Sequence, residues 1–251
     1  MNASNPRWSS IIPRKPMKRF ASLLLGLALN PWLPLPGFAA APPANTLTPE
    51  EQAAGWRLLF DGQTTTGWRS FGKPAFPAQG WVVADGWLKK IAGVRGGDII
   101  TRDTFTDFEL SWEWRLPAGG NNGVKYFILE ERGAIGHEYQ MIDDSKRGPS
   151  KGGTAAFYEV LPPKPHAPVK LAPDFNQSRL RVEGNHVEHW LNGEKVLEYE
   201  CGSDDVMAGV AKSKFKRVKD FGKKLTAHLL LTDHSSECSY RNLKLRELPA
   251  K

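Results

Sequence analysis

The sequence is short of cysteine, of long apolar runs and of helical periodicity. Of its 251 residues only two are cysteines, Cys201 and Cys238, too few for a structural zinc site, which takes four ligands. In an exported protein the two could form a disulfide, but two buried free thiols fit the sequence equally well. No stretch sustains a helical period and no segment repeats, which argues against helical bundles and repeat arrays.

The amino terminus has the pattern of an export signal. A basic head without acidic residues precedes the apolar run 20–29, and Gly37-Phe38-Ala39 offers small residues at the spacing that a signal peptidase needs. The run is too short to span a bilayer, and prolines follow it. We therefore expect residues 1–39 to be a signal peptide, with export to the periplasm or the medium. A membrane anchor is the weaker alternative, and we expect no stable membrane insertion.

The charge of the chain depends on this segment. The net charge is +7, and removing the five basic residues of the head leaves seven minus five, or about +2. The five are Arg7, Arg14, Lys15, Lys18 and Arg19. The remaining chain is therefore nearly balanced, and the sequence contains no argument for nucleic acid as a partner.

The rest of the chain divides into a short lead-in, residues 40–54, and one domain, residues 55–251. In the lead-in, Thr48-Pro49-Glu50-Glu51 combines an N-cap threonine, a proline at the first helical position and acidic residues in the first turn. This pattern predicts one short helix that ends at Gly55.

Beyond Gly55 the hydrophobic period is two. Apolar and polar residues alternate through 108–116, and similar runs recur to the carboxyl terminus, with Asp85-Gly86, Gly184-Asn185 and Asn192-Gly193 as tight turns between them. Further predicted strands are Trp81–Ala84, Trp87–Ile91, Gly123–Leu129, Leu180–Val182, His186–Leu191, Lys195–Tyr199, Ala227–Leu231 and Tyr240–Leu245. Many short strands without crossover helices predict an all-β, antiparallel jelly-roll sandwich. We expect two sheets of six or seven strands, one of them forming a polar groove.

The stretch 136–144 carries the strongest candidate chemistry. Side chains alternate between the two faces of a strand, so Glu138 and Gln140 share one face, and Tyr139 and Met141 the other. A bulge near Ile142 would add Asp143 to the face of Glu138. A row of carboxylates and amides suits sugar chemistry, although a solvated sheet face is the simpler reading of this stretch alone.

Taken together, the motifs resemble the 3-keto-disaccharide hydrolase family, also described as 3-keto-glucoside 1,2-lyases and 3-keto-2-hydroxy-glucal hydratases. The resemblance extends from about Gly55 to Leu248. It rests on the segments 58–62, 67–68, 107–116, 119–127, 138–144, 184–193, 231–234 and 240–248. It implies a concanavalin A-like, glucanase-like jelly roll that acts on a small carbohydrate. The chain departs from the family pattern at three positions: Asn122 replaces a common serine, Thr232 a glutamine and Ser235 a glycine.

The implied reaction assigns roles to particular residues. A 3-keto group acidifies the hydrogen on carbon 2, so elimination needs a base, a cation or donors for the enolate, and an acid for the leaving group. Lys125 is the candidate enolate stabiliser, or a base if burial lowers its pKa, and Glu138 and Asp143 are the candidate base and acid. His234 is a further catalytic candidate. The candidates for substrate binding are Asn121, Asn122, Tyr126, Gln140, Asp233 and Lys212.

Three readings stay open for the function: the 3-keto-glycoside lyase or hydratase, a conventional glycosidase that uses Glu138 and Asp143, and a non-catalytic sugar-binding module. For the glycosidase, Gln140 occupies a position that laminarinase-type enzymes fill with an acidic residue. The sequence requires no cofactor. A divalent metal is compatible with Asp233-His234, whereas His186 and His189 lie on opposite faces of a strand and should not chelate together.

The basic segment 212–224 contains Phe215 and Phe221 among its lysines. Export argues against nucleic-acid binding here, so we expect the two phenylalanines to anchor a loop whose lysines face solvent. One lysine, Lys212 or Lys214, should reach the groove.

Overall fold

The computed structural model describes residues 42–145 and 148–250, so the predicted signal peptide lies outside the described residues. Its helices are α1 (Pro49–Ala53) and α2 (Asp204–Ala211), and a 3₁₀ turn spans Glu130–Arg132. Its strands are β1 (Arg57–Leu58), β2 (Trp68–Ser70), β3 (Trp81–Ala84), β4 (Trp87–Lys90), β5 (Ile99–Thr101), β6 (Phe108–Arg115), β7 (Asn121–Ile128), β8 (His137–Ile142), β9 (Asn176–Glu183), β10 (His186–Leu191), β11 (Glu194–Glu200), β12 (His228–Leu231) and β13 (Cys238–Glu247).

The strands form two antiparallel sheets, which confirms the predicted all-β class. The larger has eight strands in the order β11-β10-β9-β6-β13-β4-β3, with β1 also paired to β13, and the smaller has five in the order β2-β5-β12-β7-β8. The prediction of six or seven strands in each sheet is therefore wrong. Beside β8, the edge of the small sheet, Phe157 makes only isolated bridges to Tyr139 and Leu161 instead of a further full strand.

The core lies between the sheets and follows the predicted alternation. In β6, Trp112 and Trp114 are fully buried, and the Trp112 ring meets Tyr139 of β8 edge-on, with 5.0 Å between ring centroids. Burial of each such aromatic side chain contributes roughly 2–3 kcal/mol. The contact joins the middle of the large sheet to the edge strand of the small one.

Local signals predicted the turns and the first helix well. Thr48 and Glu51 form a complete capping box at α1, and the predicted turns at Asp85 and Asn192 take positive φ angles of 55° and 49°. The helix α2 was not predicted. Its start is marked by Ser203, whose side chain accepts a hydrogen bond from the Val206 amide. An N-cap serine followed by two aspartates was the available signal.

The structure also bears on the state of the two cysteines and on membrane insertion. Cys201 and Cys238 are both buried free thiols, and burial raises the pKa of Cys201 to about 12. The disulfide left open by the sequence is therefore not formed. Within residues 42–145 and 148–250, no helix is both long and apolar enough to cross a membrane.

Candidate functional site

The site is built on the outer face of the small sheet. In the ladder of β12, β7 and β8, Leu230 lies opposite Lys125 and Lys125 opposite Glu138, and partners in a ladder project to the same face. The alternate residues Val124 and Tyr139 are buried in the core. We call the outer surface around Lys125, Glu138 and Gln140 the site face.

Glu138 is a buried carboxylate without a partner. It is 6 % exposed, and no described residue forms a hydrogen bond or ion pair with its carboxylate. The carboxylate packs directly over Gly123, where a Cβ atom would collide with Oε1. Burial raises the pKa of Glu138 to about 6, opposed by the charges of Lys125 and Lys214 and assisted by that of Asp98. The group therefore holds its proton more tightly than an ordinary glutamate.

Lys125 lies opposite Glu138 in the ladder, and the charges of Lys125, Lys214 and Asp98 act on both Glu138 and His234. Lys125 is half-buried, and its Nζ donates to the Ala134 carbonyl at 3.1 Å rather than pairing with Glu138. Partial burial, and then the charge of Lys125, lower the pKa of His234. The imidazole is therefore neutral at pH 7 and can donate one N–H. The site face thus brings together three of the four predicted catalytic residues.

Unpaired amide oxygens lie on the same face. Gln140 is 4 % exposed, and its Oε1 has no hydrogen-bond partner, nor has Oδ1 of Asn121. A buried acceptor left unpaired costs about 1–3 kcal/mol. A sugar hydroxyl that bonded to either oxygen would remove this cost, and the role of both residues in binding stays a prediction.

Asn122 and Tyr126 face the other way, into the core. Both are fully buried, so direct contact with a substrate on the site face is not available to them, and the prediction is corrected. The Asn122 Oδ1 accepts from Thr232 Oγ1 at 2.7 Å and from Tyr240 Oη at 2.8 Å. Asn122 and Thr232, two of the departures from the family pattern, therefore bond to each other.

Asp143 does not join the face of Glu138. The β7–β8 ladder continues to Asn121 and Ile142 without a register shift, so the bulge that was predicted near Ile142 is absent. Asp143 follows the strand, and its carboxylate accepts from the Gly119 amide at 2.8 Å and from Ser145 Oγ at 2.6 Å. The aspartate stabilises the turn before β7.

Asp233 has a structural environment. Its carboxylate forms an ion pair with Lys90 at 2.8 Å and accepts from the amides of Gly96 and Gly97 at 2.8 and 2.6 Å. These contacts lower its pKa and attach the glycine-rich loop 91–97 to the end of β12. These contacts use most of the lone pairs of the Asp233 carboxylate, and its predicted role in substrate binding stays a prediction.

Lys214, rather than Lys212, reaches the site. Lys212 is the exposed C-cap of α2, whereas the Lys214 Nζ lies 3.2 Å from Tyr158 Oη and 4.3 Å from the centre of its ring. Lys214 also lowers the pKa of Glu138. Asp98 and Tyr158 were not predicted as site residues. Asp98 could have been, because this acidic residue directly precedes the buried pair Ile99-Ile100.

A cavity of about 610 Å³ adjoins His234. Asp98 and Asp233 line it on the sheet side, and Gly93, Val94 and Arg95 form its outer wall. Its size is in the range of small-molecule sites. The cavity therefore extends the site face beyond the carboxylate, with room for a second ring.

The described residues contain one group with the spacing of metal ligands, and it lies elsewhere. His186, Glu188 and Glu198 approach one another on β10 and β11 of the large sheet, where Lys195 Nζ already bonds to both glutamates at 3.1 and 2.5 Å. His189 points into the core instead, as its position on the strand predicted.

Fold and site define an antiparallel β-sandwich with an unpaired carboxylate, two lysines and a histidine on one sheet face. The sequence profile of the 3-keto-alpha-glucoside-1,2-lyase-like domain family matches residues 55–246. The chain therefore belongs to this family.

Individual relatives agree with this placement. A 3-keto-disaccharide hydrolase from Bacteroides thetaiotaomicron is 28 % identical over 232 residues, which cover 78 % of this chain and 79 % of that protein. A crystal structure from Parabacteroides distasonis, provisionally named a glycosyl hydrolase, superposes with a TM-score of 0.72 at 32 % identity, covering 82 % of this chain and 100 % of that one. A second structure from the same organism, at 24 % identity and a TM-score of 0.63, covers 77 % and 99 % and shares the fold.

Proposed function

We propose that this protein cleaves 3-keto-glycosides by elimination across carbons 1 and 2, and that it hydrates the resulting 2-hydroxy-3-keto-glucal through the same site. The observation that carries the proposal is the buried, unpaired Glu138, opposed by Lys125 on the neighbouring strand. The name of the Bacteroides relative, a 3-keto-disaccharide hydrolase, supports the choice of substrate class.

Glu138 serves as the base. The bond between carbon 2 and its hydrogen breaks, the proton passes to the carboxylate, and the electron pair moves to the oxygen on carbon 3 to give an enolate. A base works best when its pKa is close to the operating pH, and the pKa of Glu138, raised to about 6, meets this condition while leaving the group mostly ionised at pH 7.

Lys125 stabilises the enolate, with Lys214 as a second cation. Neither forms an ion pair with Glu138, so both remain free to meet charge that develops on a substrate. Preorganised donors of this kind contribute about 3–4 kcal/mol each to the transition state. When the enolate collapses, the carbonyl on carbon 3 re-forms, a double bond forms between carbons 1 and 2, and the group on carbon 1 leaves.

The leaving group departs toward the cavity beside His234. The neutral imidazole donates a hydrogen bond to the departing oxygen, which takes a proton from water as its bond to carbon 1 breaks. Glu138 then returns its proton to solvent. In the hydration, the same groups act in the reverse order on water and the glucal.

The decisive experiment compares a 3-keto-glucoside with its unoxidised parent. We expect release of the alcohol from the keto form alone, with a primary isotope effect when carbon 2 carries deuterium. Turnover of the parent alone would establish a conventional glycosidase. Saturable binding without turnover of either would establish a sugar-binding module.

Lys125 gives the matched variant for the mechanism. Lys125→Met should reduce turnover of the 3-keto-glucoside by about 10²–10³-fold, because one enolate donor is lost, and Lys125→Arg should retain part of the rate because the charge survives. Steady-state kinetics measure both, with circular dichroism as the check on folding. Near-normal turnover by Lys125→Met would exclude the lysine from the reaction.

A further inference from the structure

Four polar side chains cross the apolar core directly beneath the site face. They are His137 on β8, Tyr126 on β7, His189 on β10 and Tyr199 on β11, and each is at most 7 % exposed. Consecutive members bond at 2.9 Å (His137–Tyr199), 2.6 Å (Tyr199–Tyr126) and 2.8 Å (Tyr126–His189). A polar chain in a core is costly unless every member is satisfied.

Its two ends determine the direction of every hydrogen bond. At one end the Gly222 amide donates to Nε2 of His137 at 3.1 Å. Burial lowers the pKa of His137 to about 3, so this ring is neutral and its single proton is on Nδ1, which donates to Tyr199. At the other end the Ala155 carbonyl, 2.8 Å away, accepts from Nδ1 of His189.

Only one set of donors and acceptors is then possible for the hydrogen bonds in the middle of this network. Burial also lowers the pKa of His189, to about 4, so its Nε2 carries no proton and accepts from Tyr126. Tyr126 in turn accepts from Tyr199. Every donor and acceptor is used once, from the Gly222 amide to the Ala155 carbonyl.

Both ends hold loops that form the site. The segment of Gly222 carries Lys214, since Phe215 stacks on Phe221 with 4.2 Å between ring centroids and Phe221 packs on His137 at 5.4 Å. This confirms the predicted anchoring by the two phenylalanines.

At the Ala155 end, backbone hydrogen bonds connect the loop directly to the strand that carries Glu138 and Gln140. The Ala155 amide donates to the Gln140 carbonyl at 2.8 Å, and the Tyr158 amide donates to the Glu138 carbonyl at 3.1 Å. Lys214 and Tyr158 then meet through their side chains at 3.2 Å. The two loops therefore converge above Glu138.

We infer that Tyr199 and Tyr126 are positioning residues: the hydrogen-bond chain through their hydroxyls holds the Lys214 loop and the Tyr158 loop in register over Glu138. Removing either hydroxyl leaves a donor and an acceptor unpaired at the centre of the chain and releases both loops. Misplacement of a group by about 1 Å can cost about 10²-fold in rate.

The test compares Tyr199→Phe and Tyr126→Phe with Tyr139→Phe. Tyr139, also buried and on β8, donates to the Trp190 carbonyl at 3.0 Å and accepts from Ser178 at 2.9 Å, and it contacts neither loop end through its hydroxyl. The control therefore removes a comparable hydroxyl from the same core. Hydrogen exchange should accelerate at 153–158 and 213–222 in Tyr199→Phe and Tyr126→Phe, and stay at the wild-type rate in Tyr139→Phe.

Kinetics give a second readout, which rests on the proposed function. In Tyr199→Phe we expect kcat to fall by about 10–10²-fold with little change in KM. The acid limb of kcat/KM should also move to higher pH, because the charged groups that face Glu138 are Lys125, Lys214 and Asp98, and displacing Lys214 removes a cation that favours its ionised form.

Imidazole ¹⁵N NMR tests the bond directions without any substrate. Both His137 and His189 should carry their proton on Nδ1 at pH 7. A proton on Nε2 of either ring, or equal exchange and equal kinetics in Tyr199→Phe and Tyr139→Phe, would overturn the inference. Absence of wild-type turnover would refute the proposed function alone, since exchange and NMR would still decide the role of the chain.

Discussion

Two buried glutamates lie on the outer faces of the two sheets, and they differ in whether their carboxylates have partners. Glu109, on β6 of the large sheet, is 2 % exposed and Glu138, on β8 of the small sheet, 6 %. Glu109 accepts from Arg179 at 3.0 Å and from Arg246 at 2.6 and 2.9 Å. The charges of Lys125 and Lys214 act on Glu138, but neither lysine bonds to it.

The contrast separates a structural carboxylate from the one that we propose as the base. Pairing compensates Glu109 for its lost hydration, whereas the charges of Lys125 and Lys214 offset only part of the cost of ionised Glu138 at pH 7. A cost of this kind is retained in proteins mainly where activity needs it. The absence of a partner for Glu138 therefore supports its proposed role.

Removing the carboxylate that we propose as the base should give the largest effect. Glu138→Gln should lower turnover by about 10²–10⁴-fold because the base is lost. The same change should stabilise the fold at pH 7 by about 2 kcal/mol, from the difference between a pKa of about 6 and the ordinary 4.5. Steady-state kinetics and urea unfolding measure the two. A variant both active and no more stable than wild type would contradict the comparison.

Removing the structural carboxylate should do the reverse. Glu109→Gln breaks a buried charge network and should destabilise the fold by about 3 kcal/mol. This is the low end of the usual cost of breaking a buried ion pair, because the arginine side chains are partly exposed to solvent. The folded protein should keep its kcat, because Glu109 is on the other sheet. Urea unfolding and active-site-normalised kinetics test this, and a fall in kcat would assign Glu109 a role in the reaction.

A third buried polar group, Asn122, tests whether the stability contributions of two hydrogen-bonded residues, Asn122 and Thr232, depend on each other. Asn122→Ser and Thr232→Gln should each cost about 1–3 kcal/mol, since each disturbs the bonds at Asn122 Oδ1. The double variant exchanges amide and hydroxyl and should recover part of the loss, with a coupling of about 0.5–3 kcal/mol in a double-mutant cycle. Simple additivity would show that the two departures are unrelated.

The pH dependence of stability gives the smallest effect. The folded protein retains an extra proton on Glu138 between pH 4.5 and about 6, so this group adds stability as pH falls through that window. The buried His137 and His189, with pKa values lowered to about 3 and about 4, act oppositely, since their contribution is present above pH 6.5 and is lost as pH falls.

Glu138→Gln removes only the proton uptake by Glu138, which opposes the loss of stability from the two histidines as pH falls. Between pH 6 and 4.5 it should therefore lose about 1.4 kcal/mol more stability per pH unit than wild type. Urea unfolding at several pH values gives both slopes. Parallel slopes would mean that the folded and unfolded forms of Glu138 titrate alike.

Local patterns predicted elements more reliably than partners. The hairpin turns and the capping box depend on a few adjacent residues, and they formed where predicted. The short helix α2 carried its signal in Ser203 and the two aspartates after it, but not in a hydrophobic period. The number of strands in each sheet depended on how the segment around Phe157 docks on β8, which no local pattern encodes.

For the site, the sequence alone determined which side chains share a face. Alternation is a property of the extended chain itself, so Glu138 and Gln140 separate from Tyr139 and Met141 whatever the strand packs against. The tertiary structure decided the rest: that Asn122 and Tyr126 face the core, that Asp233 pairs with Lys90, and that Glu138 is left alone. Pairing of charges depends on strands that meet across the sheet, as Glu109 meets Arg246 from 137 residues away, and this proximity arises only when the sandwich closes.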